Sequence, residues 1–539
     1  MRGADVLIKT LEKSGVRHLF SLSGNQIMPV YDASIDSAIK ITHTRHEAST
    51  VFMADAYAQL TGELGVALVT AAPGFGNALA PLFTAWSSET PVLFLSGDSP
   101  VAQDGHGAFQ EFDQVAASSP FTKFSKRVMS ADDMAADVLQ AISLAKSGRP
   151  GPVHLALPFD VLNAHTSAPD GQNSSANDNA PSAPDAQDIK TIVSALASAH
   201  TPVIITGPAL NKTRSGTLLS ELQDAAQVPV LALESPRGLK DPSLGSLPKV
   251  FAEADLIVNL GKRVDFTLGF GKAQNFAPNC KWIVVDPEPE ARTQANLNLG
   301  DRLQHLIDGD ANAFARTLLS AHMQSPSADR KSWLAKVTDL TASRDFASAQ
   351  SVPPGSISPL ALCEAVKSFI DNVDEPLLIC DGGEFGQWSQ AVLSAKERVI
   401  NGPSGAIGGC LPYALGAKYA RPNATIFALM GDGTVGFQFS EFETAAREKL
   451  PFVLVIGNDA CWNAEHQIQL REYGPERLVG CMLSEARYDL AVAGLGGHGE
   501  FVTELADLKG AIERAIASGK PACVNVRMAG LPAPIVPGH

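Results

Sequence analysis

The feature that most constrains this chain is a strand signal that recurs from one end to the other. Short apolar runs end in Gly, Asp or Ala and then feed an amphipathic helical segment: GVALVTA (65–71), PVLFLSG (91–97), PVIITG (202–207), DLIVNLG (255–261), WIVVD (282–286), PLLICDGG (376–383), ATIFALMGDG (424–433) and PFVLVIGND (451–459). Runs of this kind are strands buried on both faces, which is the pattern of parallel α/β sheets. Such sheets hold their ligands beyond the carboxyl ends of the strands, so the chemistry is to be sought in the residues that follow each run.

At 539 residues the chain is too long for one core. Residues 164–188 contain no Leu, Ile, Val, Phe, Lys or Arg and read as a linker. A second Pro/Gly-rich stretch lies within 346–359. Three α/β domains result, at 1–163, 189–345 and 360–539, each with a mainly parallel sheet flanked by helices.

A formal net charge of -15, with no Lys/Arg cluster, argues against a nucleic-acid partner. The uncharged stretch Leu64–Ser88 is interrupted by Pro73, Gly74 and Gly76, so it is not a membrane span, and the first residues mix charges into an apolar pattern unlike a secretory leader. A cytoplasmic protein is expected. The seven cysteines show no metal-binding spacing and are expected to be reduced and mainly buried.

Gly431-Asp432-Gly433 closes one apolar run, and Asp459 closes the next, 27 residues on (459 − 432). The glycines allow a tight turn and close approach of the backbone to a ligand, and Asp432 offers a hard oxygen ligand for magnesium or calcium, with Asp459 placed so that both carboxylates could face one ion. Alone, a Gly-Asp-Gly is usually no more than a turn. The Gly-rich segments CDGGEFGQW (380–388) and NGPSGAIGGCLPYALGAKYA (401–420) enter helices whose free N–H groups suit a diphosphate, with tight helix packing as the alternative reading of each.

With Gly-Asp-Gly, the intervening segment and Asn458-Asp459, the chain resembles the thiamine diphosphate enzymes of the acetolactate synthase, benzaldehyde lyase and 2-hydroxyacyl-CoA lyase group. The resemblance implies that Asp432, Asp459 and the carbonyl of Cys461 bind Mg²⁺. It implies that Gly383, Glu384, Gly405, Ile407, Gly433, Thr434, Trp462 and Asn463 surround the cofactor, with Ile407 of GAIGG as the bulky side chain beneath its bend. The sequence departs from the family at Asp459, where relatives carry a second Asn.

In HTRHEAST (43–50), Glu47 alone would read as a surface charge. The stretch is similar to the family's RHEAS element, which is followed here by Ala54, Tyr57, Ala58, Thr61 and Gly62. This resemblance implies that Glu47 is the carboxylate that hydrogen-bonds the cofactor's pyrimidine ring and promotes its imino form. Pro73, Gly74 and Asn77 resemble the turn that packs on that ring, with Ala72 in place of its first Gly. In the family this glutamate meets the Gly-Asp-Gly domain across a subunit interface, which implies a homodimer or homotetramer.

SGNQIMPVYDA (23–33) and GAFQEFDQVAASSPFTKFSKRV (107–128) are similar to segments of the same enzymes. Gln110 matches a glutamine on the reacting face, and Lys123 matches a lysine near the substrate entrance; a satisfied polar contact and a surface cation are the alternatives. Asn25 and Gln26 replace the small residues of acetolactate synthase, and Gln26 takes about the place of the histidine of benzaldehyde lyase. With Trp462, Ala464, Glu465 and His466 they form a polar pocket wall, His466 being either a proton shuttle or a structural residue. The tail RMAGLPAPIVPGH gives poor support for a lid over CoA. Lys262 and Arg263, in NLGKRVDFTLGFG (259–271), lie where relatives place FAD or ADP; the alternative is an empty central domain.

The resemblance implies an enzyme that makes or breaks a carbon–carbon bond next to a carbonyl. The expected reaction is decarboxylation of a small 2-oxo acid with acyl transfer, as in acetolactate synthase. The alternatives are a lyase of 2-hydroxy ketones or 2-hydroxyacyl-CoA and, more remotely, a non-catalytic scaffold or regulatory subunit.

Overall fold

The computed structural model describes residues 1–167, 183–321, 328–347, 352–534 and 536. Most of the first expected linker and residues 348–351 of the second therefore lie outside the described residues. Three sheets account for all the named strands, and every pairing within them is parallel.

The first sheet contains β1 (His18–Ser21), β2 (Lys40–His43), β3 (Gly65–Val69), β4 (Val92–Asp98), β5 (Phe124–Arg127) and β6 (Val153–Pro158), in the order β2-β1-β3-β4-β6-β5. The second contains β7 (Pro202–Thr206), β8 (Val230–Ala232), β9 (Leu256–Leu260), β10 (Lys281–Asp286) and β11 (Leu303–Asp308), in the order β11-β10-β9-β7-β8. The third contains β12 (Pro376–Cys380), β13 (Glu397–Ile400), β14 (Thr425–Gly431), β15 (Phe452–Asn458), β16 (His498–Val502) and β17 (Pro521–Arg527), in the order β13-β12-β14-β15-β17-β16. Counted from its own first strand, the third sheet repeats the order of the first, so the two outer domains share one topology.

Helix Glu47–Thr61 is the hinge of the architecture. All its residues from Ala48 to Leu60 are buried, because apolar and small side chains surround it on every side. It lies between its own sheet and helix Cys410–Ala420 of the third domain, and the two domains share one apolar core through Val51, Phe52, Tyr57, Leu411, Tyr413 and Leu415. Buried polar contacts fix the register: Tyr413 Oη donates to Asp55 at 3.0 Å, and Ser49 Oγ donates to Gln438 at 2.9 Å. Gly62, at φ 73°, ends the helix in the left-handed conformation that glycine adopts without strain.

All seven cysteines are free and buried. No helix among the described residues is long and apolar enough to cross a membrane.

Candidate active site

The third domain holds a pocket of about 170 Å³ at the carboxyl ends of β12, β14 and β15. Its lining brings together Gly383, Glu384, Gly405, Ile407, Asp432, Gly433, Thr434, Asp459, Cys461, Trp462, Asn463, Ala464 and Glu465, which lie in separate stretches of the third domain's sequence. The absence of side chains is what shapes it. A Cβ on Gly433 would stand 2.7 Å from the Trp462 ring, one on Gly457 would strike Phe385, and one on Gly382 would come within 2.9 Å of Ile407. Ile407 is held in place because Asp381, fully buried, accepts the Gly408 N–H at 3.0 Å; burial pushes the Asp381 carboxyl up to about 6.

Asp432 is buried, and its Oδ2 has no hydrogen-bond partner among the described residues. A buried carboxylate oxygen without a partner is costly unless a cation or donor completes it. Asp459 stands next to it, and burial, reinforced by the neighbouring Asp432 charge, pushes Asp459 up to about 8. Burial raises Asp432 as well. Two adjoining carboxyls that burial holds above the usual carboxylate range are relieved by a hard divalent ion, and the glycine-lined turn beside them leaves room for an anion, so these residues fit a metal-bound diphosphate. Among the described residues no group of three His, Cys, Asp or Glu side chains converges, so remaining ligands would come from backbone carbonyls and the phosphates themselves.

Glu47 opens helix Glu47–Thr61. The preceding residues are anchored by Glu441, which is completely buried and accepts the backbone N–H groups of Arg45 and His46, each at 3.0 Å. His46 caps the helix by accepting the Ala48 N–H. Asn77 Nδ2 donates to Glu47 Oε2 at 2.9 Å, and a Cβ on Gly74 would approach Oε1 to 3.3 Å, so Gly74 keeps that oxygen clear. Pro73 is exposed and opens helix Pro73–Ser87. Glu47 is not among the residues that line the pocket of the third domain.

The residues expected to form one polar wall fall into two groups in the chain, one in the first domain and one at the pocket of the third. Gln26 is buried and donates to Gln110, while Asn25 is exposed beside it in the turn Asn25–Ile27. Glu465 and Ala464 reach the pocket, but His466 does not line it; its Nδ1 is buried without a hydrogen-bond partner among the described residues and its backbone N–H continues the helix from Trp462.

Lys123 departs from the reading as a residue of the substrate entrance. Its ammonium donates to the carbonyls of Leu144 and Ser147 at 2.6 and 2.5 Å, closing the carboxyl end of helix Met134–Lys146, and burial pulls it down to about 8. Lys262 is also withdrawn from the phosphate-binding role: it is 2% exposed, lies 4.0 Å from Asp265, and its pKa is lowered by burial. Arg263 pairs with Glu288 at 3.0 Å and stacks 4.2 Å over Trp86.

Arg237 is a member of the pocket lining that the sequence did not single out. It comes from the central domain and stands at the junction with a second cavity of about 340 Å³, lined also by Gln387, Gln390 and Asn401. No motif marks it, because its place depends on how two domains pack.

Comparison with known proteins identifies the three domains. Residues 1–117 match the thiamine pyrophosphate enzyme N-terminal TPP binding domain, 189–305 the central domain and 381–526 the C-terminal TPP binding domain. A probable acetolactate synthase of Mycobacterium bovis and an acetolactate synthase large subunit of Mycobacterium tuberculosis are each 31% identical over 98% of this chain and 95% of their own. A 2-hydroxyacyl-CoA lyase 2 of Danio rerio is 28% identical over 97% of this chain and 91% of its own. With all three domains matched and relatives aligned nearly end to end, the chain belongs to the thiamine pyrophosphate-dependent enzymes, whose cofactor is thiamine diphosphate.

Proposed function

We propose that the protein decarboxylates a small 2-oxo acid and transfers the acyl group to an aldehyde or a second 2-oxo acid, the reaction type of the acetolactate synthases it resembles. The observation that carries the chemistry is the pairing of a buried, partnerless Asp432 oxygen with Asp459 beside a glycine-lined pocket. Thiamine diphosphate, when bound, supplies a thiazolium carbon that can take up the carbonyl carbon of the substrate.

The chain's own residues supply the rest. Asp432, Asp459 and Cys461 hold Mg²⁺, with Gly383, Glu384, Gly405, Gly433, Thr434 and Asn463 around the diphosphate. Ile407, seated on Gly382, and Trp462, seated on Gly433, present apolar surface to the cofactor and exclude water. Glu47 holds a proton at the pyrimidine ring, oriented by Asn77. Since no residue before Arg237 lines the pocket, Glu47 would act on the cofactor of a second copy, in a homodimer or homotetramer.

The cavity beside Lys262 and Arg263, of about 560 Å³, does not suit the diphosphate of FAD or ADP. Glu89, Asp265, Glu288 and Glu290 share its lining, and both cations already serve neighbouring groups.

A second reading, cleavage of a 2-hydroxy ketone or 2-hydroxyacyl thioester, has support from the 2-hydroxyacyl-CoA lyase relatives. Against a CoA thioester stands the segment after β17: the carbonyls of Leu531 and Pro532 accept hydrogen bonds from Asn463 and Trp388, which folds this segment onto the pocket wall. Product analysis separates the readings. Pyruvate with an aldehyde should give CO₂ and a 2-hydroxy ketone; an aldehyde formed from 2-hydroxy ketones or hydroxyacyl thioesters, with no CO₂ from any 2-oxo acid, would replace the first reading by the second.

A further inference from the structure

The turns that follow β1, β3 and β4 meet through three neutral side chains. Thr70 Oγ1 donates to Gln26 Oε1 at 2.7 Å, and Gln26 Nε2 donates to Gln110 Oε1 at 2.6 Å. Two glycines make the space. A Cβ on Gly97 would stand 2.8 Å from that of Gln26, and one on Gly24 would stand 2.3 Å from that of Thr70. Gln26 is only 5% exposed, so its amide has no water to exchange for these partners.

Gln110 is held as firmly from the backbone side. Its φ is +62°, in the left-handed region that non-glycine residues seldom occupy. The loop before it is gathered around Glu111, whose carboxylate accepts the N–H groups of Gly105, Gly107 and Ala108 at 2.6, 3.0 and 3.0 Å. The chain of hydrogen bonds also begins next to the catalytic carboxylate: a Cβ on Gly74 would touch both the Thr70 methyl, at 2.8 Å, and Glu47 Oε1, at 3.3 Å.

A carboxamide has one accepting and one donating end. Thr70 occupies the oxygen of Gln26, and the nitrogen of Gln26 occupies the oxygen of Gln110. The open end of the relay is therefore the NH₂ group of Gln110. We infer that Gln26 is a positioning residue that locks Gln110 as a hydrogen-bond donor on the reacting face, so that the site selects a substrate by an accepting oxygen next to the bond made or broken, the carbonyl oxygen of a 2-oxo acid. This inference rests on the proposed function. None of the three side chains titrates near neutrality, so this wall orients an oxygen but does not remove the hydroxyl proton that cleavage of a 2-hydroxy ketone must release.

Gln26→Glu tests the polarity with almost no change of shape. A carboxylate accepts from Thr70 and accepts again from Gln110, turning the Gln110 NH₂ inward and its oxygen toward the substrate. The expected result is a fall in kcat/KM for pyruvate of roughly 10- to 100-fold, the loss of one oriented hydrogen bond, with thiamine diphosphate affinity within about twofold of wild type. Gln26→His keeps one accepting and one donating nitrogen and should stay within about fivefold of wild type. Equal kcat/KM for Gln26→Glu and wild type would overturn the inference.

A second measurement does not depend on turnover. In a thermal-unfolding cycle, Gln26→Leu and Gln110→Leu should be non-additive, because the first substitution already breaks the bond the second removes. Additive shifts would overturn the relay. Wild-type protein that releases no CO₂ from pyruvate would instead contradict the proposed function, and the unfolding cycle would still decide whether the relay exists.

Discussion

Asn77 Nδ2 lies 2.9 Å from Glu47 Oε2, and this bond occupies one oxygen of the carboxylate while Gly74 leaves the other clear. A carboxylate fixed through one oxygen is pre-oriented to bind through its second. The bond also explains why a glutamate lies at the start of a helix that is buried on every side: the packed helix positions its first residue without help from solvent.

Glu47→Gln keeps the shape and removes the charge. Thiamine diphosphate affinity should change little, while hydrogen–deuterium exchange at the thiazolium carbon, followed by NMR after acid quench, should slow about 10²–10⁴-fold. Equal exchange rates would remove Glu47 from the mechanism.

Asp459→Asn removes a carboxyl that burial and the neighbouring Asp432 charge push up to about 8. Without metal the variant should melt a few degrees higher than wild type at neutral pH, since a neutral amide replaces a carboxyl whose ionisation the folded site opposes. Its Mg²⁺ affinity, measured by calorimetry in the presence of thiamine diphosphate, should fall by about tenfold, because a hard cation loses a charged ligand.

Arg149 ties the first domain to the second. It is 3% exposed, forms ion pairs with Glu89, Asp286 and Glu288, and donates to the Gly261 carbonyl at 2.8 Å. Glu89 in turn accepts the Ala209 N–H at 3.0 Å, at the point in the second sheet where strand order reverses between β7 and β9. Arg149→Met leaves buried carboxylates uncompensated and should lower stability by about 3–5 kcal/mol in urea unfolding. A loss near zero would show that the cluster relaxes without its arginine.

His154 sets a pH dependence. It is fully buried between Ser96, Ser118 and Ser125, at 2.8, 2.9 and 2.9 Å, beneath Phe75 of the turn that carries Asn77, and burial pulls it down to about 3. Its folded pKa lies below the unfolded value of about 6.5, so its stabilising contribution is present above that value and is lost as pH falls toward 3. The slope from this residue is about 1.4 kcal/mol per pH unit across that window. Stability measured by urea unfolding should fall less steeply with acid in His154→Gln; an unchanged slope would assign the acid sensitivity to other groups.

The residues proposed around the cofactor could be picked out in the chain because they fall in short local motifs. Gly431, Asp432 and Gly433 form one turn, Ile407 sits in one Gly-rich loop, and Glu47 starts one helix, so each motif could be matched to the family it resembles without knowledge of distant contacts. What escaped is what depends on contact between distant segments. Lys123 resembled an entrance lysine by position, yet its stem runs beside Gly151 to two helix-end carbonyls. Arg237 reaches the pocket from another domain, and the bond from Gln26 to Gln110 spans 84 residues. The shared strand order of the outer sheets was hidden for the same reason, since pairing between nonconsecutive strands leaves no mark in local periodicity.

The most direct measurement is CO₂ release from pyruvate by the purified protein, with and without thiamine diphosphate and Mg²⁺. Release that requires both, and that is lost in Asp432→Ala, is the predicted result. No release under any of these conditions, with aldehyde produced from a 2-hydroxy ketone instead, would contradict the assignment of a 2-oxo acid donor.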